Sequence, residues 1–111
     1  MKVAIVSDGK TLSSNVNLLF ARSPYFIFFD IVDNKIEKFK AIENPFKDNQ
    51  RDVATAVVNF LNSKKVDVII LDEIAPKALN ILHQSKIKIY RSKGIIKDAI
   101  DDYLKGELKQ I

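Results

Sequence analysis

The chain of 111 residues has no cysteine and no tryptophan, one histidine, one methionine, and only three glycines and three prolines. Without cysteine there can be no disulfide framework and no thiolate metal centre. Any metal would have to be held by imidazole, by carboxylate or by ligands it brings with it. The single histidine, His83, has no histidine at i±4 and makes a poor metal site by itself. Ser13 and Ser14 have no base near them in sequence, so a hydrolytic serine has no support. No apolar run is long enough for a membrane span, and VAIV after Lys2 is too short for a secretory signal. A cytoplasmic protein that makes no membrane contact is expected.

What is present is 47% hydrophobic residues and 18 Lys and Arg against 14 Asp and Glu. That is enough apolar material for one core and too little chain for two, so residues 1–111 are expected to form one domain. The basic residues are scattered. The densest run, Lys86, Lys88, Arg91, Lys93 and Lys97, has no interleaved stacking aromatics beyond Tyr90 and reads as a strand with one wet face. A nucleic-acid surface is not expected there.

Hydrophobic periodicity divides the chain cleanly. Lys2 to Ser7 is a continuous apolar run that suits a strand buried on both faces. Tyr25 to Val32 and Ile36 to Ile42 flank the turn formers Asp33-Asn34-Lys35 and predict an antiparallel hairpin, which Asn44-Pro45 ends. Val53, Ala54, Val57, Val58 and Leu61 form one helical stripe, with Asp48 or Asn49 expected as N-cap. A buried strand is expected over Val66–Leu71, and a helix from Pro76 through Ala78, Leu79 and Leu82. A short strand over Ile87–Tyr90 and a helix burying Ile96, Ala99, Ile100, Tyr103 and Leu104 follow, closed by Gly106. Right-handed crossovers then set the two later strands beside the first, with the hairpin on the other edge of a five-stranded mixed sheet and helices on both faces.

The segment SSNVNLLFARSPYF, after the opening VAIVSDG, resembles the dinitrogenase iron-molybdenum cofactor biosynthesis family of NifX, NafY and the C-terminal domain of NifB. That family shows S-x-V-x-x-H-F-G-R, then a small residue, proline and an aromatic, matched here by Ser14, Val16, Phe20, Arg22, Pro24 and Tyr25. Leu19 stands at the histidine position and Ala21 at the glycine position. A family H-G-A-G falls on Arg51-Asp52-Val53-Ala54, and G-N-x-G-P falls on Asp72-Glu73-Ile74-Ala75-Pro76. The resemblance implies a ribonuclease-H-like three-layer α/β fold with sheet order 3-2-1-4-5 and strand 2 antiparallel. It further implies a non-catalytic accessory or carrier protein for an exogenous iron-sulfur or iron-molybdenum cluster, working with a cofactor donor or acceptor protein. The lost glycines narrow the approach of backbone amides to a bulky anion, and Asp72 and Glu73 add negative charge.

Open α/β sheets bind ligands outside the carboxyl ends of their strands. The candidate ligand residues are therefore Asp8, Ser14, Arg22, Arg51 and Asp72. Two alternatives stand beside this reading. One is a diverged partner-binding protein without cofactor. The other is a metal-dependent phosphoryl-transfer enzyme or nuclease holding Mg²⁺ or Mn²⁺ on Asp8, Asp72 and Glu73. Against the metal site, Asp8 can equally close a turn with Gly9, and Asp72 or Glu73 can stabilise the helix at Pro76.

Overall fold

A computed structural model describes residues Met1–Ile111. Strands β1 (Lys2–Ser7), β2 (Tyr25–Val32) and β3 (Lys35–Glu43) lead into helix α1 (Val53–Ser63). Then come β4 (Val68–Leu71), α2 (Pro76–Gln84), β5 (Lys88–Arg91), α3 (Ile96–Leu104) and β6 (Lys109–Gln110). One mixed sheet runs β3-β2-β1-β4-β5-β6, with β1 parallel to β4 and antiparallel to β2.

Pairing places Ala4, Phe28, Ile69 and Ile89 on one face of the sheet and Ile5, Ile27, Ile70 and Tyr90 on the other. Phe60 of α1 meets the first face, with ring centroids 6.2 Å from Phe26 and 6.1 Å from Phe28. Helix α2 packs beside α1. Tyr103 of α3 meets the second face, its ring 5.1 Å from Tyr90. Helices therefore cover both faces, which is why Val3–Val6, Phe26–Phe29 and Val68–Leu71 are buried without alternation.

The two-residue turn Asp33-Asn34 has φ of 51° and 63°, the left-handed pair that matches the twist of a hairpin. Helix α1 ends in a left-handed turn at Lys65 (φ 59°), with Val66 N–H donating to Leu61 O at 3.2 Å and Lys65 N–H to Asn62 O at 2.9 Å. Gly106 (φ 73°) closes α3 in the same way.

Two expectations need correction. The sheet has six strands, not five: after the Gly106 turn the chain runs back along β5, pairing Tyr90 with Gln110 and Arg91 with Lys109. Two exposed polar residues give no hydrophobic signal from which such a strand could be read. Helix α1 starts at Val53, with Asp52 in the N-cap position, because residues near Asn49 close their own turn through Asn49 N–H to Phe46 O at 3.0 Å. Strand β3 carries a bulge at Lys38 (φ 57°) opposite Phe29.

Candidate functional site

At the carboxyl ends of β1 and β4 the chain leaves a groove of about 520 Å³ between three segments: Leu18–Arg22, the start of α1 and the start of α2. Its walls are mostly apolar, from Leu18, Leu19, Phe20, Val53, Ala54 and Ile74, with Arg22, Lys77, Asp52 and Glu73 as charged groups and Thr55 as the only hydroxyl. Leu18 and Leu19 are 58% and 53% exposed, unusual for adjacent leucines in a domain with this much buried core.

The wall formed by residues 18–22 is held by a buried amide. Asn44 is 1% exposed; its Nδ2 donates to Ala21 O and Ser23 O, each at 2.9 Å, and its Oδ1 accepts from Phe46 N–H at 2.9 Å. Asn17 Oδ1 accepts from Leu19 N–H at 2.9 Å, and Glu73 N–H reaches Leu18 O at 3.3 Å, tying this wall to the segment after β4. Arg22 donates from Nη1 to Lys47 O at 2.8 Å while its side chain stays exposed beside the groove. At the same corner Lys47 donates to Glu43 Oε1 at 3.1 Å, and that hydrogen bond, with the carboxylate's charge, raises the pKa of the ammonium.

Two helix N-termini open into this groove uncapped. Asp52 sits at φ 54°, ψ 30°, whereas a capping residue is normally extended, and its carboxylate makes no cap hydrogen bond to α1. Ala75 precedes α2 and has no side-chain acceptor, and neither helix has an acidic residue in its first turn. The N–H groups of Val53, Ala54, Thr55, Lys77 and Ala78 consequently find no partner in the protein. The third helix is sealed: Ile96 N–H donates to Ser14 O at 2.8 Å and Lys97 N–H to Leu12 O at 2.9 Å, and Asp98 lies in the first turn.

Of the residues expected at the site, Arg22 and Glu73 line the groove and the others do not. Asp8 and Asn15 close a loop on each other, Asp8 N–H donating to Asn15 O at 3.1 Å and Asn15 N–H to Asp8 Oδ1 at 2.9 Å. Ser14 Oγ accepts from Thr11 N–H at 3.2 Å in that loop, packed so close to Gly9 that a Cβ there would lie 2.3 Å from it. Arg51 is exposed outside the groove. Asp72 is buried, and its Oδ1 has no hydrogen-bond partner. The three carboxylates Asp8, Asp72 and Glu73 form no cluster that could hold a metal ion. The physical reason is that Asp8 is spent on its own turn, Asp72 is buried, and Glu73 turns to the groove.

Sequence reasoning put the candidate site in the loops after the first and fourth strands but did not name Leu18, Asn44 or Lys77 as part of it. The available signals were the Asn-Pro step after β3 and the absence of a capping side chain before Pro76.

The carboxyl ends of the strands in this mixed α/β fold thus carry two uncapped helix starts beside one mostly apolar groove. The chain belongs to the dinitrogenase iron-molybdenum cofactor family, whose model matches residues 1–106. It is 28% identical over 111 residues to the protein MJ0580 of Methanocaldococcus jannaschii, covering 99% of this chain and 91% of that one. Among solved structures it is similar to TM1290 from Thermotoga, provisionally described as a NifB protein of the DUF35 family. That match has TM-score 0.79 and 35% identity over 98% of this chain and 91% of that one. It also resembles PH0822, with TM-score 0.85 and 26% identity over 100% and 96% of the two chains. The apo orange protein of Desulfovibrio gigas, at 18% identity and TM-score 0.87 over 99% and 92% of the chains, shares the fold.

Proposed function

We propose that this protein is a non-catalytic accessory protein of nitrogenase-type cofactor biosynthesis, which takes a compact anionic metallocofactor as cargo into the groove between residues 18–22 and the starts of α1 and α2. The observation that carries this is the convergence of five unpaired helix amides and Arg22 on one apolar-walled groove. Each helix start favours an anion by about 0.3–1 kcal/mol, and more where water is excluded. Family membership supplies the class of cargo.

The donor set decides how such cargo would be held. There is no cysteine, His83 is exposed in the last turn of α2, and Met1 lies away from the groove. Thiolate or imidazole ligation within the groove does not fit these residues. Hydrogen bonds from amides, the Arg22 charge and apolar contact do fit a cluster that arrives with its own coordination complete. Weak, reversible retention follows, which suits handover to a donor or acceptor protein better than storage. Thr55 is the groove's only hydroxyl and no imidazole lines the groove with it, so nothing there resembles an activated nucleophile. The order β3-β2-β1-β4-β5 with β2 antiparallel supports reading the sheet as ribonuclease-H-like with β6 added at the edge.

Anaerobic incubation with an iron-sulfur cluster donor, then with isolated iron-molybdenum cofactor, followed by gel filtration and metal analysis, tests the assignment. Retention in the micromolar range is expected for one cargo, weakened at least tenfold by Ala54→Glu or Arg22→Glu. Retention indifferent to both substitutions, or none for either cargo, would overturn it.

A further inference from the structure

A second surface lies on the opposite side of the sheet from the cargo groove, at the open edge of the molecule. Strand β3 pairs only with β2, so along its outer side backbone N–H and C=O groups face solvent. The bulge at Lys38 leaves Phe39–Glu43 as a regular five-residue stretch, with Lys40 opposite Phe28 and Ala41 opposite Ile27. Phe39 thus points to the same face as Ala41, the face covered by α3. There it joins Leu12 and Ile95 in a shallow groove of about 530 Å³ whose charged members are Lys10, Lys97 and Asp98.

These three apolar side chains are 36–43% exposed, Leu12 at the lower and Ile95 at the upper limit, with Phe39 at 39%. They are three of the seven large hydrophobics that the fold leaves exposed. Their clustering beside an unpaired strand edge distinguishes them from scattered surface leucines. The charges around them are mostly positive. Lys40 flanks Phe39 on the edge, and Lys10 and Lys97 flank the groove, against Asp98 alone. Glu43 is already engaged by Lys47 at 3.1 Å.

The bulge at Lys38 interrupts long antiparallel pairing of β3 with another copy of itself, and in-register parallel pairing would set Lys35, Lys38 and Lys40 each against its own kind. The same charges attract an acidic strand. The geometry points to β3 as a docking edge for an extended acidic segment of a partner protein, which adds as a seventh strand along Phe39–Glu43. Its alternate apolar side chains would sit over Phe39, Leu12 and Ile95, its carboxylates on the other face would meet Lys40, and Lys10 and Lys97 at the groove would add to the positive field that draws an acidic chain in. Backbone hydrogen bonds supply register, while the lysines select for acidic chains and speed encounter. Because this edge is separate from the cargo groove, both can be occupied together.

The test uses the whole chain, isotopically labelled, and two end-blocked seven-residue peptides: one alternating Glu with Val, the other alternating Lys with Val. On titration with the Glu peptide, amide signals of Phe39–Glu43, Lys10–Ser13 and Ile95–Asp98 should shift in a saturable manner. The midpoint should weaken about tenfold in the double variant Lys40→Glu, Lys97→Glu, and similarly between 0.05 and 0.5 M salt. Phe39→Ala should weaken it too. All three side chains are exposed, and circular dichroism of the variants checks that the fold persists. Equal shifts with the Lys peptide, shifts confined to Lys109–Gln110 or to Leu18–Arg22, or no saturable shift would overturn the inference. So would the same β3 amides shifting when the protein alone is concentrated, which would mark the edge as a self-association surface.

Discussion

Replacing Asn44 with alanine should damage this protein more than any other single polar substitution near the groove. Its carboxamide is fully engaged, two N–H bonds going to Ala21 O and Ser23 O and one acceptor bond coming from Phe46 N–H, all at 2.9 Å. Each bond contributes about 0.5–1.5 kcal/mol net, and a buried partner left unpaired costs about 1–3 kcal/mol. Some of the freed groups will find water at the groove rim, so a loss of about 2–4 kcal/mol is expected. For a domain of this size that lowers Tm by roughly 10–25 °C. Urea and thermal unfolding followed by circular dichroism measure the loss, and hydrogen exchange at Ala21, Arg22 and Ser23 reports whether the groove wall loosens with it. Asn44→Asp sharpens the test. It keeps the acceptor for Phe46 N–H but aims a carboxylate oxygen at two carbonyl oxygens, so at pH 7 it should be worse than alanine. It should recover partly as the pH falls and a proton restores one donor. A loss below about 1 kcal/mol for Asn44→Ala, or an aspartate variant as stable as wild type at pH 7, would refute the bracing role.

Lys65 holds the left-handed turn after α1 at φ 59°, a conformation that costs a side-chain-bearing residue about 1 kcal/mol. Lys65→Gly should therefore stabilise the domain by about that much in urea melts; unchanged or lower stability would count against strain at this turn. Ile69 is fully buried in β4, one of the two central strands, so Ile69→Asp should cost more than about 4 kcal/mol and leave the chain largely unfolded by circular dichroism. Burial, reinforced by Tyr90 and Asp67, raises the Tyr103 phenol above its ordinary 10.0. The folded state then holds that proton more tightly than the unfolded one. Stability is unaffected by this group below about pH 10 and falls as the pH rises through and above that value. Tyr103→Phe should flatten the alkaline decline in a series of melts from pH 8 to 11, and an identical slope in both proteins would argue against it.

The elements carrying apolar signal were legible in the sequence, and for a physical reason. Strands such as Val3–Val6 and Ile69–Leu71 are buried on both faces and must be continuously hydrophobic. Helix α1 must show its stripe at Val57, Val58 and Leu61 because those residues meet the sheet. What sequence could not resolve lies where backbone hydrogen bonding decides and side chains do not. The two residues of β6, the Lys38 bulge and the late start of α1 at Asp52 are of this kind. The groove was half legible. Its location and Arg22 follow from strand order and the family motif. Val53 and Ala54, however, read as the core end of the α1 stripe, yet they are only half-buried and form a groove wall. Periodicity identifies an apolar face without saying whether protein or ligand covers it. Polarity misled in the opposite direction: Asp8 and Ser14 carry functional chemistry but use it on their own loop.

At the carboxyl end of the sheet, that loop closes the face covered by α3 and leaves the face of α1 and α2 open. Residues Asp8–Asn15 fold onto the start of α3, where Ser14 O and Leu12 O take the helix's first free amides. The isolated bridges Ser7 to Val16 and Asn15 to Ile95 fix the loop between β1 and α3. Nothing equivalent reaches α1 or α2. The chain that could cover them, Leu18–Arg22, is instead pulled back by Asn44 and Glu73 N–H into a wall. Water can solvate the exposed amides, so the fold loses little by leaving them unpaired, and under the proposed function an anion of the right size would find them already aligned. The side chains at Asp52, Ala54 and Ala75, where the family pattern carries glycines, would then set how close that anion could come. An Ala Cβ at 54 and 75 keeps the backbone at van der Waals distance. Affinity must come from the summed field and the apolar walls, not from close contact to any one amide. Cargo held as proposed would bind by shape and charge, and it could leave without breaking a metal–ligand bond to the protein.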